Sequence, residues 1–402
     1  MKTFTRDKLT FPSWTETGEA AVRLKLKCDR IVVGDGYVDG FVYVEGGRIA
    51  AVTTADRPAD EVRDFTGRIL APGFIDLHTH GGGGHAFMDS SPEAVLAGCA
   101  HHLRHGTTTI LPTVSAGPIE NMRRALADID AARHSGRAGN RIHGAHLEGP
   151  YLSAVQCGAQ CPDFITPPIP ADYEALIADY GASIARWTYA PEADADGGFC
   201  RCLRAHGILA SAGHTDAIYP DMQRAMAAGC SLVTHLYSCT STVTRDHGFR
   251  RLGVIETAFL CDDLDVEIIA DGKHLPPELI RMIVKIKGPE HVALVTDSLA
   301  IAGTDITEGV MSGTPFLVED GVCKLCDRSA FAGSVATADR LVATLVHDCG
   351  IALPTAVRMM TETPARILGV DRGRIAPGLD ADLVVFDDEV TVSAVFVGGR
   401  EV

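Results

Sequence analysis

Histidines and carboxylates in this chain stand at the ends of short apolar runs. They are His78 and His80, Glu148, His214, His235, His274 and Asp297, and they close six of the eight such runs in the middle of the sequence. Imidazole and carboxylate are the groups that bind divalent metals and move protons. Glu148, His214 and His235 make three protein ligands with a fourth position open, the usual make-up of a catalytic zinc site. His78-Thr79-His80 is a second donor pair: on a strand, residues i and i+2 point the same way, roughly 6.6 Å apart. Two imidazoles so placed can grip one ion, with zinc–nitrogen bonds of about 2.0–2.1 Å. Asp297 is suited to take a proton from an activated water, and His274 to polarise a carbonyl oxygen.

Each of these residues also has a plainer reading. His78 and His80 could be a surface pair, Glu148 the partner of an arginine, and His214 and His235 ordinary core histidines. Asp297 could cap a helix. It is their shared placement at run ends that favours chemistry. His146, two residues before Glu148, shares its face one layer deeper and reads as a supporting residue. Gly81 to Gly84 lack the lysine and the strand–helix context of a phosphate loop, and read as backbone room beside the site. His101, His102 and His105, in a helix-like stretch with Arg104, read as solvated. The other histidines form no spacing that connects to a site.

The elements that must position these groups follow from the runs themselves. ILAPGFIDLHTH, TTTILPTV, RIHGAHLEGP, IARWTYAPE, ILASAGHT, SLVTHLY, VEIIADGKH and VALVTDS are eight candidate strands with helix-compatible stretches between them. Eight parallel strands alternating with helices predict an α/β chain with a (β/α)8 TIM-type barrel, whose active site is built at the C-terminal strand ends. Short alternating strands with glycine turns lie at both chain ends. They predict a small β-sandwich domain from residues 22–72 plus 374–402, around a barrel over 73–373. Residues 1–21 are polar and unpatterned, and read as an N-terminal extension.

The 402 residues are 46% hydrophobic and 22% charged, ample for a globular core. A net charge of −16 argues against nucleic-acid binding, which needs a basic face. No apolar run reaches the roughly 18 residues of a membrane span, and the first residues lack a secretory signal. The expectation is a cytoplasmic protein whose twelve cysteines are reduced. Cys323-x-x-Cys326 is a lone pair and reads as plain thiols.

PGFIDLHTHG, HLEGP, SAGHT, THLY, ADGKH, LVTDS and FAGS occur in that order. Together they closely resemble the N-acetylglucosamine-6-phosphate deacetylase family of the amidohydrolase superfamily, from about Val22 to the C-terminus. The resemblance implies that Glu148, His214 and His235 hold the main metal and that His78 and His80 serve a second. It implies Asp297 as catalytic acid–base and metal ligand, and His274 at the acetamido carbonyl. The ion would be divalent, zinc first, with iron, manganese or cobalt as alternatives, and one or two in number. Ala159, Ser238, Cys239, Arg245, His274, Ala332 and Gly333 would touch a phosphorylated N-acetyl amino sugar, in a homodimer.

The chain departs from the family pattern around the substrate. Ser238 and Cys239 replace the family's Asn-Ala after His235-Leu236-Tyr237, and Gln160 stands where a substrate-binding histidine is usual. Arg245 matches a phosphate-gripping arginine with altered spacing, and Arg250 and Arg251 are rivals. The expected reaction is deacetylation of an amino-sugar 6-phosphate. Other amidohydrolase reactions, such as cyclic-amide hydrolysis or deamination, and an inactive binding barrel are the alternatives.

Overall fold

A computed structural model describes residues 23–402, so the extension over residues 1–21 lies outside the described residues. Eight parallel strands form the barrel: β1 (Phe74–Thr79), β2 (Thr107–Ser115), β3 (Ala145–Glu148), β4 (Ile184–Tyr189), β5 (Leu209–Ala212), β6 (Leu232–Val233), β7 (Asp265–Ile268) and β8 (Val292–Leu294). Each coincides with one of the eight apolar runs, β2 ending one residue past its run at Ser115 and β7 starting one residue before its run at Asp265. They read as unbroken runs because strands of a barrel are covered on both faces, and every residue of β1, β2 and β3 is buried.

Hydrogen bonds pair each strand with the next from β1 to β8. The seam between β8 and β1 is bridged by side chain and backbone. Asp76 accepts from the Thr296 hydroxyl at 2.6 Å and the Thr296 N–H at 3.2 Å, and the Asp297 N–H donates to the His78 carbonyl at 2.9 Å. Burial pushes the Asp76 carboxyl up to about 6, against these bonds.

A polar layer fills the barrel beneath the strand ends. Arg186 on β4 and Glu267 on β7 form a fully buried ion pair, Nη2 to Oε2 at 2.7 Å. Arg186 also donates to Ser211, Thr234 and the Leu77 carbonyl, so its fork is satisfied on all sides.

The first apolar run divides at Gly73. Ile69–Pro72 leaves the barrel and pairs with Leu383–Phe386 in a second sheet. A Cβ at Gly73 would meet the Thr108 hydroxyl oxygen at 2.2 Å, so only glycine lets the chain cross there. That sheet has eight strands, built from residues 24–72 and 383–401, with its own core of Leu26, Val42, Leu70, Val385 and Phe396.

After β8 the chain forms a four-stranded antiparallel sheet, Glu308–Met311, Thr314–Glu319, Val322–Leu325 and Phe331–Gly333. Cys323 is buried within it and Cys326 is exposed, and all twelve cysteines are free thiols. Among the described residues no helix is long and apolar enough to cross a membrane.

Candidate active site

The run-end residues converge at the C-terminal mouth of the barrel. His78 lies within β1 and Glu148 ends β3. His214, His235 and Asp297 follow β5, β6 and β8 by two or three residues. Those three adopt left-handed backbone, with φ of 46°, 29° and 46°. Such geometry costs of order 1–3 kcal/mol per residue and is held only where the surroundings demand it. Here it turns three side chains inward at the point where each strand stops.

Glu148 is the hub. Its Oε1 lies 3.1 Å from His214 Nε2 and 3.1 Å from His235 Nε2. Its Oε2 lies 3.2 Å from His80 Nε2. Asp297 Oδ1 is 3.2 Å from His80 Nε2 and 3.4 Å from His78 Nε2. Two buried groups of donors, His78–His80–Glu148 and Glu148–His214–His235, therefore share one carboxylate, with the donor atoms of each group within 4.8 Å of one another.

The donor set fits a metal. His214 Nδ1 lies 3.0 Å from the Gln156 carbonyl, which only accepts, so Nδ1 carries the proton. A neutral His214 then aims a lone pair at an ionised Glu148 oxygen. His78 Nε2 and His80 Nε2 likewise face each other at 3.2 Å, where both cannot carry protons. A cation between the groups resolves both contacts; without one, protons must.

The ionisation shifts reflect the same crowding. Burial opposes charge on Glu148, yet the surrounding His78, His214 and His235 hold its carboxyl well below the usual range. Asp297 is lowered in the same way by His78 and His80, again against burial. Burial would lower His80, but Asp297 and Glu148 outweigh it and lift the ring to about 9. His214 is held well above its usual value, Cys239 and Glu148 outweighing burial. For His235 burial prevails and the shift is downward.

A second set of groups orients these. His80 Nδ1 meets Ser115 Oγ at 2.9 Å. His146 bonds Thr188 at 2.7 Å and Thr113 at 3.2 Å, and its ring packs edge-on against His78 with centroids 4.5 Å apart. It supports His78 from the layer below, as its spacing predicts. His274 Nδ1 is fixed by Asp271 at 2.8 Å, and the pair keeps the Asp271 carboxyl low despite burial.

A cavity of about 240 Å³ opens beside the cluster. Ala159, Ser238, Cys239, His274, Ala332 and Gly333 line it, together with His80, Glu148, His214, His235 and Asp297. No helix starts at Asp297; the chain runs on through a loop, so the helix-cap reading does not apply. Arg245 is not among the lining residues. It lies on an exposed hairpin, Thr244–Asp246 with Phe249–Arg251, beside Arg250 and Arg251. Tyr237, Met311 and Phe331 also line the cavity, although their spacing gave no sign of it, and so does Gln160, at the position where the family resemblance implies a substrate-binding histidine. Asp271, three residues before His274, carried a legible signal in ADGKH.

One expectation is corrected. His101 and His102 are not solvated but buried, at 4% and 0% exposure. The helix α1 (Pro92–Arg104) turns them under the glycine loop, where a Cβ at Gly82 would sit 2.5 Å from His101 and 3.1 Å from His102. His102 Nε2 donates to the Gly81 carbonyl at 2.8 Å. The glycine run thus makes room for two rings that support the His78–His80 turn. Only His105 reaches solvent, half-buried against Asp339.

A barrel with this cluster at its mouth defines a metal-dependent amidohydrolase, and residues 69–145 and 203–402 match the model of the amidohydrolase family. The chain is 32% identical to N-acetylglucosamine-6-phosphate deacetylase of Bacillus subtilis (strain 168), over 88% of this chain and 90% of that one. It is 28% identical to N-acetylgalactosamine-6-phosphate deacetylase of Escherichia coli O157:H7, over 93% and 98%. A mutant of the Mycobacterium smegmatis N-acetyl-D-glucosamine-6-phosphate deacetylase, in complex with N-acetyl-D-glucosamine-6-phosphate, superposes with a TM-score of 0.88 at 30% identity, covering 94% of this chain and 99% of that one. The chain belongs to the N-acetylglucosamine-6-phosphate deacetylase family of amidohydrolases.

Proposed function

We propose that this protein hydrolyses the acetamide of an N-acetylated amino-sugar 6-phosphate to the free amine and acetate. The observation that carries the reading is Asp297 set beside two donor groups that share Glu148, at the edge of a cavity of about 240 Å³. Glu148, His214 and His235 would hold the main ion, and His78 and His80 a second one, with Asp297 3.2–3.4 Å from both imidazoles of that second pair. A divalent metal there supplies a water acidified toward a pKa of about 7 and a polarised amide carbonyl. Imidazole and carboxylate donors suit zinc first, and iron, manganese or cobalt after it.

The side chains do the rest. Asp297 accepts the proton of the attacking water and returns it to the leaving amine nitrogen. His274 supports the carbonyl oxygen through Nε2, the ring nitrogen that Asp271 leaves free. Ala159, Ser238, Cys239, Ala332 and Gly333 surround the sugar.

Arg245 would reach the phosphate of a second copy of the chain in a homodimer. The support is its exposed hairpin, whose tip carries Phe249 at 78% exposure. Relatives of both the glucosamine and the galactosamine kind make either epimer a candidate substrate. A cytoplasmic location agrees with twelve free thiols.

Asp297→Asn tests the assignment. The variant keeps its metal content and fold and loses about 100- to 10,000-fold in kcat, the range for a general acid–base group. A metal-loaded Asp297→Asn enzyme with full turnover would remove Asp297 from that role.

A further inference from the structure

A second cavity, of about 560 Å³, opens on the other side of the cluster. It shares His80 and Met311 with the smaller cavity, so the two meet across the His80 ring. Leu299 and Phe316 are buried in its inner wall, with Met88, Ile301 and Phe164 around them, and the hydroxyls of Thr113 and Ser115 that also line it are engaged with His146 and His80. Its charged residues, Asp89, Glu308 and Arg124, are exposed and stand at the outer rim.

We infer that this second cavity is an acyl-chain site, and that the enzyme accepts neutral N-acyl groups longer than acetyl. The inference rests on the deacetylase reading above and extends it to the acyl half of the substrate. Hydrolysis breaks the bond between the carbonyl carbon and the amide nitrogen, and forms one from that carbon to the water oxygen. The water proton passes through Asp297 to the amine, and the acid leaves as a carboxylate. With the carbonyl at the cluster and the sugar among Ser238, Cys239 and Phe331, the acyl group must point away from the sugar. That direction leads past His80 and under Met311 into the larger space.

At roughly 30 Å³ for each group the size of a water molecule, the space holds a chain several carbons beyond acetyl. Two carboxylates against one guanidinium at the rim favour a neutral chain over one ending in an acid. Each methylene buried there improves binding by roughly fourfold at most.

The test is a series of glucosamine 6-phosphates carrying N-acetyl, N-propanoyl, N-butanoyl and N-hexanoyl groups, assayed by amine release with metal-loaded enzyme. The expected result is a kcat/KM for butanoyl and hexanoyl no lower than for acetyl. A second arm uses Gly117→Leu, which points into the cavity where a Cβ meets nothing closer than 3.9 Å. It should cut hexanoyl turnover at least tenfold and leave acetyl turnover within twofold. A tenfold or greater fall from acetyl to butanoyl in the unaltered enzyme overturns the acyl site while leaving the deacetylase reading intact. Equal losses on both substrates in Gly117→Leu also overturn it. No amine released from any member, acetyl included, overturns the deacetylase reading and this inference with it.

Discussion

Gln160 donates its side-chain amide to Glu148 Oε2 over 2.6 Å, while its carbonyl oxygen accepts from the Ala116 N–H over 3.0 Å. A backbone N–H can only donate, so the amide has one orientation and its NH2 group must face Glu148. The bond anchors the oxygen of Glu148 that faces His80, leaving the other toward His214 and His235. Residues that orient ligands in this way typically contribute about 10- to 100-fold in metal affinity. Gln160→Leu should therefore weaken metal binding by that amount, read by chelator competition. Unchanged affinity would show that Glu148 needs no anchor.

Metal uptake should release protons. His80 is lifted to about 9, so its ring is protonated at pH 7.5 in the metal-free protein, and His214 is shifted in the same direction. A metal can bind only the deprotonated rings. Calorimetry in buffers of different ionisation heat should then detect at least about one proton leaving per molecule, from His80. Binding with no proton release would mean that the His80 ring is not charged beforehand.

Much of this architecture was legible because barrel strands are buried on both faces and read as unbroken apolar runs. Even β6, two residues long, was marked by the histidine that follows it. Contacts made far along the chain were not legible. His101 and His102 sit beside Arg104 in a helical stretch, and their burial depends on the absent side chains of Gly82 and of Gly303, some two hundred residues away. The Asp76–Thr296 seam joins positions 220 apart. Gln160 reads as a lost histidine in sequence, and only the fold shows its two bonds.

The two buried histidines make stability sensitive to acid. Burial lowers His101 to about 4 and His102 to about 3, from 6.5 in an unfolded chain. The unfolded state therefore takes up protons first as pH falls below 6.5, and stability is lost progressively between 6.5 and about 3. With Nε2 donating to the Gly81 carbonyl, a new proton must go to His102 Nδ1, which has no hydrogen-bond partner among the described residues. His102→Gln should flatten the acid limb of a urea-unfolding series between pH 6.5 and 4. An acid limb as steep as in the unaltered protein would place the acid sensitivity elsewhere.

The Arg186–Glu267 pair should be costly to break. Both side chains are fully buried, so Glu267→Ala leaves a guanidinium without its counter-charge inside the barrel. Removing one partner of such a pair typically costs about 3–5 kcal/mol. Urea unfolding of Glu267→Ala against the unaltered chain measures it, and a loss below about 1 kcal/mol would show that water or neighbouring hydroxyls take over.

The most direct test of the central claim, that the Glu148 cluster holds a metal which hydrolyses an acetamide, is amine release from N-acetylglucosamine 6-phosphate by stripped and restored enzyme. The account predicts turnover in the metal-loaded protein, its loss after chelation, and its return when zinc or another divalent ion is added back. Turnover that survives complete removal of metal, or metal-loaded protein that releases no amine, would contradict it.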